Sequence, residues 1–172
     1  ITPGEKDPKG KAVDNEEELD ANETTRYRAI VARANYLAAD RPDIMYAVKE
    51  LCRGMAKPTT VMWHRLTRLG RYLVGSGRTS MKFEGQGHES EVTGYSDSDW
   101  AGCRVSGKST SGGALMIGGH FIKGWSMTQN HVTTSSAEAE LAAAGGGLSQ
   151  ALWAKHFPEP QGCQLSSSAL RQ

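Results

Sequence analysis

The sequence predicts a mixed α/β chain in which a small helical unit precedes antiparallel strands followed by one long helix. Three observations predict it. From Tyr27 to Leu73, apolar residues recur three and four positions apart, the period of helices with one buried face. After Gly77 the apolar pattern shortens to strand-like stretches bounded by glycine. Beyond Thr133 the helical period returns and runs to about Phe157.

Residues 1–25 are rich in Pro, Gly, Asp, Glu and Lys with almost nothing apolar to bury, and read as a disordered linker. The stretch 22–25 (N-E-T-T) offers N-cap chemistry for the first helix. That helix places Tyr27, Ile30, Val31, Ala34, Leu37 and Ala38 on one face, and Asp40-Arg41-Pro42 stops it. Pro42 opens a second helix with Ile44, Ala47, Val48, Leu51 and Met55 inward. Lys57-Pro58-Thr59 ends it and caps a third, which buries Met62, Leu66, Leu69, Tyr72 and Leu73. Residues 26–78 thus form the helical unit, and 79–157 the strand-and-helix unit. Strands are expected at 81–83, 92–96, 112–117 and 120–126, with Gly118-Gly119 as a two-residue hairpin turn. No helical crossover separates them, so they pair antiparallel. Ser135 or Ser136 caps the last helix, with Glu138 within its first turn. Its apolar stripe is Ala137, Leu141, Ala144, Leu148, Ala151 and Leu152. Gly145-Gly146-Gly147 inside it implies a kink, a close approach to the sheet or a weak helix. Pro158 ends it, leaving 158–172 as an irregular tail.

Net charge is +1, but it is unevenly spread. Residues 1–25 hold three basic against eight acidic residues, 26–90 hold twelve against five, and 91–172 hold five against six. The basic middle segment is the electrostatic footprint to follow. Arg65, Arg68 and Arg71 recur at three-residue steps on the third helix, a stripe that could track a phosphate backbone or be ordinary surface arginine. The three widely spaced cysteines form no C-x-x-C pair, which argues against a zinc site or disulfide framework. No apolar run nears the roughly 18 residues of a membrane span, and no signal-peptide pattern opens the chain. The expectation is a soluble intracellular chain, and its start without Met suits a piece of a longer one.

The chemistry centres on 92–100, V-T-G-Y-S-D-S-D-W, where Asp97 and Asp99 break a strand pattern. An acid running into a core is costly unless paired or bound to a metal. Glu138 and Glu140 open the last helix, about 200° apart around its axis. Carboxylates from separate elements can converge on hard divalent cations, and a pair of such ions can activate water against a phosphodiester. The helical geometry leans towards Glu140, while Glu138 suits a first-turn acid favoured by the helix dipole. Gly94-Tyr95-Ser96 fails as a nucleophile elbow because Ser98 stands where the second glycine is needed.

Four ordered motifs, G-Y-S-D-S-D-W-A-G (94–102), G-K-S-T-S-G-G (107–113), S-S-A-E-A-E-L-A-A (135–143) and Q-A-L-W (150–153), resemble the ribonuclease H region of copia-type retrotransposon Pol polyproteins. Upstream, Y-R-A-I-V-A (27–32), Y-L-A-A-D-R-P-D-I-M-Y-A-V (36–48) and R-L-G-R-Y-L-V-G (68–75) resemble the segment after the reverse transcriptase palm in these polyproteins. The resemblance implies an RNase H-like fold, truncated to its N-terminal half, behind a thumb or connection segment. It implies metal-dependent hydrolysis of the RNA strand of RNA–DNA hybrids, with two Mg²⁺ or Mn²⁺ ions in an intact site. It maps the first catalytic aspartate onto Asp97 and the helix glutamate onto Glu140, with Asp99 a further metal-ligand candidate. Arg65, Arg68, Arg71 and Lys108 are the nucleic-acid-binding candidates. The implied partners are the hybrid and the remainder of the polyprotein, with no membrane, in the cytoplasm, a virus-like particle or the nucleus. One departure stands out: no aspartate follows Asp99, and Ser166 occupies the place of the family's third catalytic aspartate. The competing expectation is a catalytically dead remnant that keeps only nucleic-acid binding.

Overall fold

A computed structural model describes residues 2–4, 17–85, 91–103 and 106–155. It divides into two compact units, Ile1–Ser80 and Met81–Gln172. The expected tail 158–172, Ser166 and Cys163 lie outside the described residues.

In the first unit, helix α1 spans Ala21–Leu37 and its N-cap is Asp20, whose Oδ1 accepts from Glu23 N at 2.7 Å. The helix therefore starts inside the stretch expected to be linker, and the cap is Asp20 rather than a residue of 22–25. The aspartate wins because it caps and also faces the positive end of the helix. Just before it, Leu19 N donates to Pro58 O and Thr60 N to Glu17 O, each at 3.0 Å. These bonds secure the entry to α1 before its first turn. A 3₁₀ turn, Pro42–Ile44, leads into α2 (Met45–Arg53), and α3 (Thr60–Gly75) is capped by Thr59 Oγ1. Tyr27, Val31, Ile44, Val48, Leu51 and Leu69 form the buried centre. Ile30 and Leu37, expected inward, lie at the margin of α1's buried face at 41% and 37% exposure. Two polar ties cross this core. Tyr27 Oη donates to Leu51 O at 2.8 Å. The Arg41 guanidinium grips Asp43 with two bonds and reaches Ser76 O, while Tyr72 Oη also donates to Asp43.

In the second unit, β1 (Val92–Asp99), β2 (Thr110–Ile117) and β3 (His120–Thr128) form an antiparallel sheet in the order β1-β2-β3. Gly118, with φ +57°, makes the tight β2–β3 turn, as the Gly-Gly pair predicted. Each strand is longer than the sequence suggested, and β1 includes both aspartates. Residues 81–83 form no strand. Instead the Phe83 ring packs against His120, with centroids 5.1 Å apart, and Glu84 O bonds His120 Nε2 at 2.7 Å.

Helix α4 (Ser136–Lys155) packs on one face of the sheet. Its buried positions are Ala139, Ala143, Gly147 and Ala154. Leu141, Leu148 and Leu152, expected inward, are 75%, 41% and 49% exposed. The reason is Trp125. Gly113 is its cross-strand partner, and the indole lies over that glycine so closely that any side chain there would overlap the ring. The helix then sits tight on this row. A Cβ at Gly147 would meet Ser96 Cβ at 3.2 Å and Trp125 Cζ2 at 3.7 Å. Only alanine and glycine fit that spacing, so the leucines face out. Of the readings open for the glycine run, close approach holds at Gly147, while Gly145 and Gly146 have open space around them.

Candidate metal centre

The register of α4 on β1 decides which acids can meet. Gly94 lies against Ala151 and Ser96 against Gly147, so the helix runs opposite to the strand. Its first turns therefore reach the carboxyl end of β1. There Gln129 Nε2 donates to Ala139 O and to Ser111 Oγ, both at 2.9 Å, and Ser111 is the cross-strand partner of Ser98. Glu140 is thus level with the rungs that carry Asp97 and Asp99.

Around the helix, Glu140 is about 60° from the buried Ala143, whereas Glu138 is about 140° from it. Glu138 is also engaged elsewhere. Its carboxylate accepts from Thr134 N at 2.7 Å and Thr134 Oγ1 at 2.9 Å, and its own amide donates to Ser135 Oγ. Ser135 is thereby the N-cap. The bonds from the Thr134 amide and hydroxyl hold the Glu138 carboxyl below the usual range. Glu138 is a capping acid, and Glu140, itself exposed, lies nearer the buried side of the helix.

Along β1, side chains alternate between faces. Ser96 faces α4, so Asp97 and Asp99 project from the opposite face, and both are exposed. Glu140 is exposed too. The three acids share one end of the sheet, with the strand acids on one face and the helix acid on the other. Among the described residues, no three His, Cys, Asp or Glu side chains cluster closely enough to hold a metal ion. The donors match Mg²⁺ or Mn²⁺ in kind, being carboxylate oxygens at solvent-accessible positions.

The turn after β1 passes close to Asp99. A Cβ at Gly102 would fall onto the Asp99 carboxylate, so glycine leaves room for that group. Ala101 has φ +51°, in the left-handed region, and its amide donates to Ser109 Oγ at 3.1 Å. Ser109 Oγ pairs with Thr133 Oγ1 at 2.9 Å, and Trp100 Nε1 donates to Thr133 O at 3.2 Å. The approach to α4 is therefore stapled to the end of β1. Sequence patterning missed Gln129 and Ser109, and read Thr133 only as part of the N-cap stretch 133–136; all three are buried. Their one signal is a polar run where the strand period lapses, which turns also produce.

The basic candidates separate. Arg65 is half-buried, and its charge acts on the Tyr27 phenol. Arg68 donates to Thr2 O and Oγ1, each at 3.2 Å. Arg71 is exposed. Lys108, half-buried, belongs to the β1–β2 connection of the second unit, where its carbonyl accepts from Cys103 N at 3.0 Å. The structure thus does not present all three arginines as one open stripe. Cys52 and Cys103 are not disulfide-bonded. No helix of the described residues is long and apolar enough to cross a membrane.

A three-stranded antiparallel sheet with a capped helix packed on one face, preceded by a separate helical unit, defines the class: a mixed α/β protein. Over 142 residues, 83% of the chain, it is 38% identical to the Retrovirus-related Pol polyprotein from transposon RE2 of Arabidopsis thaliana. Over 129 residues it is 39% identical to the corresponding polyprotein from transposon RE1 of the same plant. The chain spans about a tenth of the length of these two relatives, 10% and 9% respectively. It is also 34% identical over 128 residues to the Secreted RxLR effector protein 161 of Plasmopara viticola, covering 89% of that protein. No protein-family profile and no solved structure matches it. The chain belongs to the copia-type retrotransposon Pol polyprotein family.

Proposed function

We propose that the second unit is an RNase H-like nuclease module of a retrotransposon Pol polyprotein, acting on the RNA strand of RNA–DNA hybrids. One observation carries the reading: Asp97 and Glu140 stand at the same end of the sheet, within the stretch shared with Pol polyproteins. A 142-residue match in a 172-residue chain necessarily includes both positions. On this reading Asp97 and Glu140 are the ligands of the divalent ion, with Asp99 beside Asp97, although in the described sheet they stand on opposite faces and do not converge on one point. When bound, the ion supplies Lewis-acid activation of water and charge stabilisation at the leaving oxygen. Strand β1 and helix α4 set the end of the sheet at which these carboxylates stand, and their exposure leaves room for a backbone phosphate. Within this unit Lys108 supplies positive charge for hybrid binding.

The test is cleavage of a labelled RNA–DNA hybrid with Mg²⁺ or Mn²⁺ by the chain, by Asp97→Asn and by Glu140→Gln. Cleavage by the unaltered chain, lost in both variants, is expected. A chain that binds the hybrid with steep salt dependence yet cleaves nothing under either metal is instead the binding-only remnant, and the nuclease reading fails.

A further inference from the structure

We propose that the outward face of α4 docks a second copy of this chain, the two helices pairing antiparallel about a two-fold axis. The pairing is independent of the nuclease reading and uses none of its acids. It follows from a helix that is apolar on both sides. Towards the sheet, α4 buries Ala139, Ala143 and Gly147. Away from it runs a second stripe of Ala137, Leu141, Ala144, Gly145, Leu148 and Leu152, between about 100° and 200° around the axis from Ala143. Leu141 is 75% exposed, Leu148 41% and Leu152 49%. A surface helix keeps its outer face polar, whereas a helix apolar all round is one that other elements cover. Three leucines in line on the solvent side are the mark of an interaction surface.

The order of residues along the stripe selects the occupant. They are spaced by four, three, one, three and four positions, the same read from either end. When two copies of α4 run antiparallel and cross between Ala144 and Gly145, Leu141 is level with the partner's Leu148, and Ala137 with the partner's Leu152. Each contact then occurs twice, as an isologous two-fold interface requires. A partner of different sequence needs no such symmetry. The crossing point carries the smallest side chains, and nothing stands within 4 Å of a Cβ added at Gly145. Small residues there let the helices approach closely, with leucines interlocking on either side. The stripe holds no charged residue. Glu138, just outside it, stays about 20 Å along the axis from the partner's Glu138. Antiparallel helices also set each positive end beside the partner's negative end. The seam from Ala137 to Leu152 is about 22 Å long. One such seam is smaller than the roughly 800 Å² per partner of a standard interface, so the dimer is weak and concentration-dependent.

The test is sedimentation velocity of the full chain between about 5 and 500 µM, the range in which a weak dimer assembles. Two variants accompany it, Leu141→Lys and Leu148→Glu, at positions whose exposure leaves the fold intact by circular dichroism. The unaltered chain is expected to rise from monomer to dimer mass across the range. Each variant alone is expected to self-associate at least about tenfold more weakly. An equimolar mixture of the two should recover the dimer to within about threefold of the unaltered chain. In the mixed pair the ammonium introduced at 141 meets the carboxylate introduced at 148, and the other Leu141–Leu148 contact is intact. A parallel pair sets position 141 beside itself and gives no such recovery. Leu141→Ala, which only shortens the side chain, should weaken the dimer in the same direction and keeps the test open should a charged variant fail to fold. A chain that stays monomeric to the top of the range overturns the proposal, whatever else covers the stripe. A dimer that all three variants leave unchanged overturns it, because the contact then lies elsewhere. A mixture that remains monomeric also overturns it, because the antiparallel register is then wrong.

Discussion

The three glycines inside α4 separate the packing account from simple helix propensity. Gly145 and Gly146 meet nothing within 4 Å of an added Cβ. Alanine at either position should stabilise the second unit by about 1 kcal/mol, the usual helix-interior difference. Gly147 gains the same propensity, but its Cβ would stand 3.2 Å from Ser96 Cβ, closer than ordinary contact and against a backbone-borne atom of a paired strand. Overpacking of this kind costs about 1–3 kcal/mol. The net for Gly147→Ala therefore runs from zero to a loss of about 2 kcal/mol. Native-state hydrogen exchange of the Ala114 and Leu115 amides, on the central strand, reads this for the second unit alone. Gly145→Ala and Gly146→Ala should slow those amides about fivefold. Gly147→Ala should leave them unchanged or faster. Equal slowing in all three variants would refute the small-residue contact between α4 and the Ser96–Gly113–Trp125 row.

Three further outcomes follow from the geometry. Asp43, held down to about 2 from 3.8 by the Arg41 guanidinium with the Tyr72 hydroxyl adding, stabilises the fold when ionised. That stability is present above pH 3.8 and is lost as pH falls towards 2. An acid titration followed by far-UV circular dichroism should show it, and Asp43→Asn should flatten it. Burial, aided by Cys52, pushes the Tyr27 phenol up to about 12 from 10, so stability holds below pH 10 and falls as pH rises towards 12. Tyr27→Phe should remove that alkaline loss and cost about 1–2 kcal/mol at neutral pH by urea unfolding, through the bond to Leu51 O. Ala101→Gly should be neutral or stabilising by thermal melting, because relief of the left-handed φ offsets the roughly 1 kcal/mol entropic loss of a glycine.

What was legible in the sequence was what one element decides by itself. The helical periods placed α1 to α4, and Gly118-Gly119 placed the hairpin, because each depends on local backbone preference. The place of Glu138 as a first-turn acid was also local, a matter of helix-start chemistry. The buried face of α4 was not. Counting apolar residues selects Leu141 and Leu148, yet the side of the helix that meets the sheet is set by the indole of Trp125, contributed by another element. Asp20 was hidden within an acidic run that composition alone assigns to a linker. Residues 81–83 look like a strand but bury their ring against His120. Gln129 was invisible because a single polar residue after a strand has no period, and its role exists only once β2 and α4 are beside it. The alternation of β1 implied that Asp97 and Ser96 face opposite ways. Which of the two faces meets the helix needed the packed structure.

The proposal that Asp97 and Glu140 share a divalent cation asks for an ion bridging acids that stand on opposite faces of the sheet end. Titrating isotope-labelled chain with Mn²⁺ and following paramagnetic broadening of backbone amide signals tests it directly. Broadening centred on 97–99 and 139–141 together, lost from both segments in Asp97→Asn and again in Glu140→Gln, is the predicted result. Broadening confined to one segment, or retained in both variants, would contradict it.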